Sequence, residues 1–286
     1  MFGFGVDPAH AIFLVVFGVA VGTYGALVGA GGGFLIVPML LLVFGDAFTA
    51  QQAVGTSLLT VFLNGASGAL SYARLGRIDY RTGWRFALVS VPGSIAGAYL
   101  AQFMTSRAFV IAFGALLVVL AVFMVLRPRE AEIVALEEAG AVIPPRRWYV
   151  RRSILDRSGR SHHYEYHQPG GLALSFFVGL LGSVLGIGGG IVYMPALVYV
   201  FSFPVVIATA TSTFILAISS LVGTVSHVFF GNVQFGFAIL LGFGVIFGAQ
   251  FGALLSQYLR GPWIVRLLSV ALVVAGIRLI LRGVEL

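Results

Sequence analysis

Long apolar stretches dominate the chain and leave little of it for a water-facing surface. Eight can be recognised between polar connections, at 10–44, 54–73, 86–105, 108–126, 172–201, 205–229, 237–257 and 264–281. Most have about the 20 residues that an α-helix needs to cross the hydrocarbon core of a bilayer. The sequence therefore predicts an all-α polytopic membrane protein.

The composition agrees with this prediction and excludes other classes of protein. Hydrophobic residues make up 59% of the 286 residues and charged residues 9%, whereas soluble domains have about 45–50% and about 25%. A soluble enzyme is therefore excluded. We attribute the net charge of +7 to orientation in the membrane rather than to nucleic-acid binding. The absence of cysteine excludes disulfides and cysteine-ligated metal, and we predict neither a cofactor nor a metal ion.

Two of the apolar stretches are too long for a single crossing. The first has 35 residues and the fifth has 30, and straight helices of these lengths would span about 52 and 45 Å. Each contains a glycine cluster, Gly29-Ala30-Gly31-Gly32-Gly33 in the first and Gly186-Ile187-Gly188-Gly189-Gly190 in the fifth. Because glycine disfavours continuous helix, each stretch is predicted to be two helical pieces joined by an unwound turn.

The glycine clusters belong to two copies of one sequence unit. They lie 157 residues apart, and the same offset places Pro38 on Pro195. After a two-residue deletion the offset becomes 155, which aligns Thr56-Ser57 with Thr211-Ser212, Gly68 with Gly223, Gly93 with Gly248 and Gly97 with Gly252. We therefore predict an internal duplication, with residues 1–126 as the first membrane repeat and 169–286 as the second.

The duplication leaves two topologies open. If each glycine-broken stretch folds as a hairpin, each half has five membrane segments and the repeats are inverted. If each stretch crosses once, each half has four spans and the repeats are parallel. Both topologies place 14 arginines on the cytosolic side and three outside, so the positive-inside rule does not choose between them. The overlong stretches favour the inverted 5+5 arrangement, although residues 34–44 are short for a full crossing.

Residues 127–168 form the one polar segment and hold 14 of the 27 charged residues. We predict a cytosolic linker, with a short helix at Glu130–Ala139 and a β-hairpin around Asp156-Arg157-Ser158-Gly159. Three histidines, at 162, 163 and 167, are close enough in sequence to suggest a metal site, but a solvated linker is the favoured interpretation.

The span interiors point to an anion site made by the backbone. They contain no Asp, Glu or Arg, so a carboxylate proton relay or a buried arginine clamp is not expected, and no ATP-binding phosphate loop is present. A helix that begins at Phe34 or Ile191 would direct free N–H groups and the positive end of its dipole at the break. Two such starts near the midplane could hold an anion, as in transporters with discontinuous helices. The predicted site is Gly31, Gly32, Gly33, Gly188, Gly189 and Gly190; close helix packing is the alternative role for these glycines.

Polar side chains in the spans are the remaining candidates for this site. They are Thr56, Ser57 and Asn64 in the first half and Thr211, Ser212 and His227 in the second. Hydroxyl and amide donors would complete the shell of an anion, although they could instead bond to helix carbonyls. His227 replaces Tyr72 of the first half and could titrate near neutral pH, or serve only in packing.

The motifs resemble those of the TauE/SafE sulfite exporter family, also called the 4-toluene sulfonate uptake permease family. The first half contains Gly29-Ala30-Gly31-Gly32-Gly33 running to Pro38, followed by Val54-Gly55-Thr56-Ser57. The second half repeats the pattern as Gly186-Ile187-Gly188-Gly189-Gly190 running to Pro195, followed by Ala210-Thr211-Ser212. The resemblance covers both membrane halves but not the linker at 127–168.

The resemblance implies a secondary transporter of small sulfur-containing anions (a sulfonate, sulfite or a thio-acid) in the bacterial inner membrane. Its expected partners are that anion, the lipid bilayer and a proton or sodium as coupling ion, with no nucleic acid. Export is favoured because an anion that leaves an inside-negative cell gains about 2.3 kcal/mol per 100 mV. The alternatives are a passive anion channel, a scaffold acting through the linker, and an intramembrane enzyme on lipid phosphate that would use Arg74 to Arg85 with Asp79.

Overall fold

The computed structural model describes residues 7–126, 147–259 and 261–285; the short helix predicted at Glu130–Ala139 lies outside them. The first part of the chain forms α1 (Pro8–Val28), α2 (Gly33–Val43), a 3₁₀ turn (Gly45–Ala47), α3 (Ala50–Leu75), α4 (Tyr80–Ala101) and α5 (Ser106–Leu126). A hairpin of β1 (Tyr149–Leu155) and β2 (Ser161–His167) comes next. It is followed by α6 (Gln168–Leu185), α7 (Gly190–Tyr199), α8 (Val205–Phe229), α9 (Phe235–Leu255) and α10 (Gly261–Glu285).

Six helices are long and apolar enough to cross a membrane, namely α1, α3, α5 over Ser106–Met124, α6, α8 and α9. Large apolar side chains remain exposed on the outer faces, among them Phe177, Phe243 and Phe251. So much exposed apolar surface is unfavourable in water and is covered by lipid in a membrane. The chain is a polytopic helical membrane protein, as its composition predicted.

Both overlong stretches are divided into two helices that fold back on each other. The ring of Phe44, just after α2, lies 5.3 Å from the ring of His10 in the first turn of α1. The end of α2 is therefore beside the start of α1. In the second stretch, a methyl group on Gly170 in the first turn of α6 would lie 3.7 Å from the ring of Phe201, just after α7. Each pair is thus a helical hairpin with its glycine cluster at the bend.

Close glycine contacts show that two pairs of helices run parallel. Along α9, Gly244 lies against Val15 and Gly252 lies against Thr23, so residue numbers rise together on α1 and α9. In the same way Gly93 on α4 lies against Phe176, and Gly97 lies against Leu180, on α6. Because glycine has no side chain, these helix backbones approach closely, as is common between membrane helices.

The central pair, α3 and α8, runs antiparallel. Gly68 lies against Thr213, and Gly223 lies against Leu58, so residue numbers on one helix rise as those on the other fall. These two helices are the most buried of the six candidate spans, with 61% of the apolar membrane-crossing segment buried in each. The middle of the molecule is therefore formed by α3 and α8.

The hairpin pairs in antiparallel register from Tyr149–His167 to Leu155–Ser161. Its turn is closed by Asp156, whose Oδ1 accepts hydrogen bonds from the backbone N–H groups of Ser158 and Arg160 at 2.9 and 3.0 Å. Short polar side chains stabilise turns in this way. The hairpin leads directly into α6, where the ring nitrogen Nδ1 of His167 accepts from the Gly170 N–H at 3.2 Å.

Candidate functional site at the two helix breaks

Left-handed glycines make each break possible. In the first break, Gly29, Gly31 and Gly32 have φ between 72° and 80°; in the second, Gly186, Gly188 and Gly189 have φ between 65° and 85°. Residues with a Cβ rarely adopt this conformation. Helix α1 therefore ends at Val28, with Gly29 as its cap, and α2 begins at Gly33, immediately after Gly32.

Each break presents three backbone N–H groups without an acceptor among the described residues. At the start of α2 they belong to Gly32, Gly33 and Phe34. At the start of α7 they belong to Gly189, Gly190 and Ile191. All six residues are buried, and an unpaired buried donor is costly. Helix N-termini with free N–H groups are suited to bind anions.

The two breaks meet each other rather than lying apart. A methyl group on Gly33 would come within 2.6 Å of the Gly186 carbonyl oxygen, and one on Gly190 within 2.8 Å of the Gly29 carbonyl oxygen. The breaks therefore cross, and both sets of free N–H groups belong to one central region. Small residues at these positions are required by the close approach as well as by the backbone angles.

Two predicted serines hold the crossing together from opposite halves of the chain. Ser57 on α3 donates to the Gly186 carbonyl at 2.8 Å. Ser212 on α8 donates to the Gly29 carbonyl at 3.0 Å. Each serine thus fixes the break of the other half, and its hydroxyl proton is directed to the backbone.

Asn64 also contacts the first break, and it has an unused atom. Its Nδ2 donates to the Gly31 carbonyl at 3.0 Å, while its Oδ1 is buried with no hydrogen-bond partner in the structure. On α8, Ser219 occupies the position 155 residues further on and donates to the Gly188 carbonyl at 2.9 Å. The two breaks therefore differ in chemistry, since among the described residues a side-chain amide contacts the first break where a serine hydroxyl contacts the second.

The two predicted threonines hold connecting loops. The hydroxyl of Thr56 accepts from the backbone N–H of Gln234 at 3.0 Å, and that of Thr211 accepts from the N–H of Asp79 at 3.1 Å. These N–H groups lie at the N-terminal ends of α9 and α4. The two threonines therefore bond α3 and α8 to the loops that precede α9 and α4, and not to the glycines of the helix breaks.

His227 is fully buried and fixes the end of α6. Its Nε2 lies 3.2 Å from the Ser183 carbonyl and its Nδ1 lies 3.3 Å from Nδ2 of Asn232. These contacts suit a neutral ring that donates through Nε2 and accepts at Nδ1. In the first half, Tyr72 donates to the Ala26 carbonyl at 2.9 Å, so both side chains hold the helix that precedes a break.

Two apolar residues that the sequence did not single out lie at the crossing. The side chains of Val61 and Leu216 both reach the space that a Cβ would occupy at Gly31 and at Gly188. Neither residue is exposed. The offset of 155 relates them to each other, but it relates the other residues of α3 and α8 in the same way, so the sequence carries no signal that singles these two out.

The hairpin forms a second polar cluster, centred on Asp79 between α3 and α4. The carboxyl group of Asp79 accepts from the Thr82 N–H at 3.1 Å, from the Thr82 hydroxyl, and from the Tyr164 hydroxyl at 2.8 Å. Nε of Arg152 lies 3.5 Å from Oδ2 of Asp79. Burial, and then the neighbouring Asp79, raise the pKa of Tyr164, so its hydroxyl remains a donor.

The hairpin turn is anchored to the end of α3. The Arg157 N–H donates to the Leu75 carbonyl at 3.2 Å, and Arg77 Nε lies 3.6 Å from Oδ2 of Asp156. Burial alone would raise the pKa of Asp156, but hydrogen bonds from Ser158 and the Arg160 backbone, together with the charge of Arg77, lower it to about 2.

The hairpin also contacts the connection between α7 and α8. The rings of Tyr164 and Phe203 lie 4.2 Å apart, and those of Tyr166 and Phe203 lie 5.4 Å apart. Tyr166 also packs edge-on against Phe86 of α4, with a ring separation of 5.8 Å. The hairpin therefore bridges a loop of the first half and a loop of the second.

Known proteins resemble the chain over nearly its whole length. The family described as "Sulfite exporter TauE/SafE" matches residues 14–279, which include both breaks. A Bacillus subtilis protein named "Probable membrane transporter protein YunE" is 35% identical over 279 residues, covering 96% of this chain and 98% of the relative. "Probable membrane transporter protein ORF9" of Sinorhizobium sp is 26% identical over 254 residues, covering 88% and 86%. No solved structure matches the chain.

Proposed function

Because the chain belongs to the TauE/SafE sulfite exporter family, we propose that it is a secondary transporter of sulfite or small sulfur-containing organic anions. The anion binds where the two helix breaks cross, and alternating access carries it between the two sides of the membrane. The observation that carries this proposal is the set of six buried backbone N–H groups at the starts of α2 and α7, for which the described part of the chain provides no acceptor.

The anion is held by backbone donors rather than by a fixed cation. Two helix N-termini each contribute about half a positive charge, and N–H groups suit the oxygens of a sulfonate or sulfite. The side chains of Ser57, Ser212 and Asn64 position the breaks through carbonyl contacts. A site without a formal positive charge binds a small anion weakly enough to release it.

The two halves are inverted repeats of five membrane segments each. The antiparallel packing of α3 against α8 supports this arrangement, because a parallel 4+4 topology would run these equivalent helices in the same direction. The reciprocal contacts support it too: Ser57 with Gly186 and Ser212 with Gly29, Thr56 with Gln234 and Thr211 with Asp79. The first repeat is residues 1–126, the linker is 127–168 and the second repeat is 169–286.

The hairpin marks the cytosolic side of the bacterial inner membrane. Arginine is concentrated in the linker and at residues 74–85, around the connection between α3 and α4, as the positive-inside rule requires. Since the hairpin bridges loops of both halves on that side, the arrangement supports a state closed to the cytosol. Opening toward the cytosol then separates Tyr164 and Tyr166 from Phe203.

Export is the favoured direction. An outward-moving monoanion gains about 2.3 kcal/mol per 100 mV, so export needs no coupling ion. The six candidate spans contain no Asp or Glu, which leaves no side-chain carboxyl in them to carry a proton. Import would need two or more cations, whether protons or sodium ions, per monoanion.

Flux of sulfite and a panel of sulfonates into proteoliposomes, at a set membrane potential, tests the proposal. We expect saturable flux driven by a positive interior, and loss of flux in Gly189→Leu, whose Cβ would lie 2.7 Å from Val178 Cγ1. Gly231→Leu is the matched control, since Gly231 also has positive φ but no atom within 4 Å of a Cβ. Absence of flux for every anion in the panel overturns the proposal, and flux that never saturates indicates a passive channel.

A further inference from the structure

Val61 and Leu216 occupy the centre of the crossing, yet neither has a polar group to offer a substrate. A Cβ at Gly188 would lie 2.6 Å from Cγ1 of Val61 and 2.5 Å from Cδ1 of Leu216. A Cβ at Gly31 would lie 3.1 Å from Cγ1 of Val61 and 2.8 Å from both terminal methyl groups of Leu216. Each side chain therefore touches both breaks.

The position of these two residues is reciprocal. Val61 lies near the middle of α3 and Leu216 near the middle of α8. Val61 also reaches Gly33, since a Cβ there would come within 2.8 Å of its Cγ2. The methyl groups thus lie beside Gly33, the first residue of α2, whose N–H group has no acceptor among the described residues.

We infer that Val61 and Leu216, called here the apolar pair, determine the largest organic anion that the transporter accepts. The inference rests on the proposed function. An oxyanion group bound to the free N–H groups places its organic part against whatever borders the breaks. The apolar pair is that border, and its methyl groups leave no room for a long chain in the buried crossing.

The physical basis is the packing of a hydrophobic wall. Protein interiors are densely packed, so a side chain cannot yield space without a cost. Within such a wall one methylene changes discrimination between substrates by about tenfold or more. Leu216→Ala removes three carbon atoms and Val61→Ala removes two, so the limit should move to longer chains in both variants.

The test measures proteoliposome flux of methane-, ethane-, propane- and butanesulfonate. For Leu216→Ala and Val61→Ala we expect the ratio of longer-chain to methanesulfonate flux to rise about tenfold at the chain length where the unmodified protein begins to discriminate. Val61→Ile adds a methyl group without creating a cavity, so it should move the limit to shorter chains and remains informative if the alanine variants are unstable.

Leu58→Ala is the matched control. Leu58 is buried on α3 one turn before Val61, but it lies against Gly223 of α8 rather than against a break. We expect a comparable loss of packing with an unchanged ratio. If the unmodified protein transports sulfonates and the apolar-pair variants keep its chain-length profile, the inference is overturned and the proposed function stands. Absence of flux of all four sulfonates in the unmodified protein overturns the inference, and absence of sulfite flux as well overturns the proposed function.

Discussion

Replacing Asp79 by alanine should release the hairpin from the membrane helices. The Asp79 carboxyl group caps α4 through Thr82, accepts from the buried Tyr164 hydroxyl, and lies beside Arg152. The side chains of Arg152 and Asp79 are only 13% and 6% exposed. Removing one partner of such a buried pair leaves an uncompensated charge and costs about 3–5 kcal/mol. Loss of the cap alone would cost about 1 kcal/mol.

The amide of Arg157 reports this release directly. Its N–H is bonded to the Leu75 carbonyl, so its hydrogen exchange is slow only while the turn is docked. Selective ¹⁵N-arginine labelling of the full chain isolates the 17 arginine amides, and exchange of Arg157 can then be followed in detergent. A change of 3–5 kcal/mol corresponds to about a hundredfold to several-thousandfold lower protection.

Glu165→Ala is the control on the same hairpin. Glu165 pairs with Arg151 at 2.8 Å, but the Arg151 side chain is 50% exposed, and such surface pairs contribute about 0.2–1 kcal/mol. Its removal should change Arg157 protection by less than about tenfold. Asp79→Asn, which keeps an acceptor and a cap but loses the charge, should fall between the two. If Asp79→Ala and Glu165→Ala have equal effects, Asp79 is not the anchor that its contacts indicate.

Four other variants test individual contacts. Asn64→Leu should raise the half-saturating anion concentration about tenfold, by leaving Gly31 unsupported; Asn64→Ser, which introduces the residue found at 219, should change it less. His227→Tyr should retain transport and its pH profile, because a tyrosine makes the equivalent bond at position 72; an altered profile would show that the histidine titrates during transport. Asp156, whose pKa is lowered to about 2, should stabilise the docked hairpin fully above pH 4 and progressively less as the pH falls toward 2. This contribution amounts to about 2 kcal/mol. Hydrogen exchange of the Arg157 amide, measured across this pH range, should show the loss of protection in the unmodified protein and no such pH dependence in Asp156→Asn.

The helix breaks at the glycine clusters could be predicted from the sequence because they depend only on local features, namely the length of the apolar stretch and the residue type. A helix of 35 residues is too long for a bilayer, and left-handed backbone at Gly31 and Gly32 is allowed by residue type alone. The free N–H groups at Phe34 and Ile191 follow from the same local argument. The helix breaks at the two clusters agree with the prediction, while the role of these glycines in binding stays a prediction.

The hydrogen-bond partners of the polar side chains could not be predicted from local sequence. Ser57 and Gly186 are 129 residues apart in the chain, and Ser212 and Gly29 are 183 apart. Their contacts depend on how the halves cross, which no local pattern encodes. Val61 and Leu216 have the residue types of any lipid-facing position, so only the crossing distinguishes them. In the sequence, Asp79 is simply one residue in an arginine-rich segment. Its role as an anchor of the hairpin follows from its contacts with Arg152 and Tyr164, which are more than 70 residues away in the chain.

The reciprocal serine contacts have a consequence for the order of folding. When residues 50–75 enter the bilayer during synthesis, the acceptor of Ser57 and the donor to Thr56 have not yet been made, because they belong to Gly186 and Gln234. Unpaired polar groups are expensive in hydrocarbon, so α3 cannot reach its native environment until α9 has been inserted. The first half therefore reaches its native packing only after the second half has been inserted, and the native core is assembled when synthesis of the chain is almost complete.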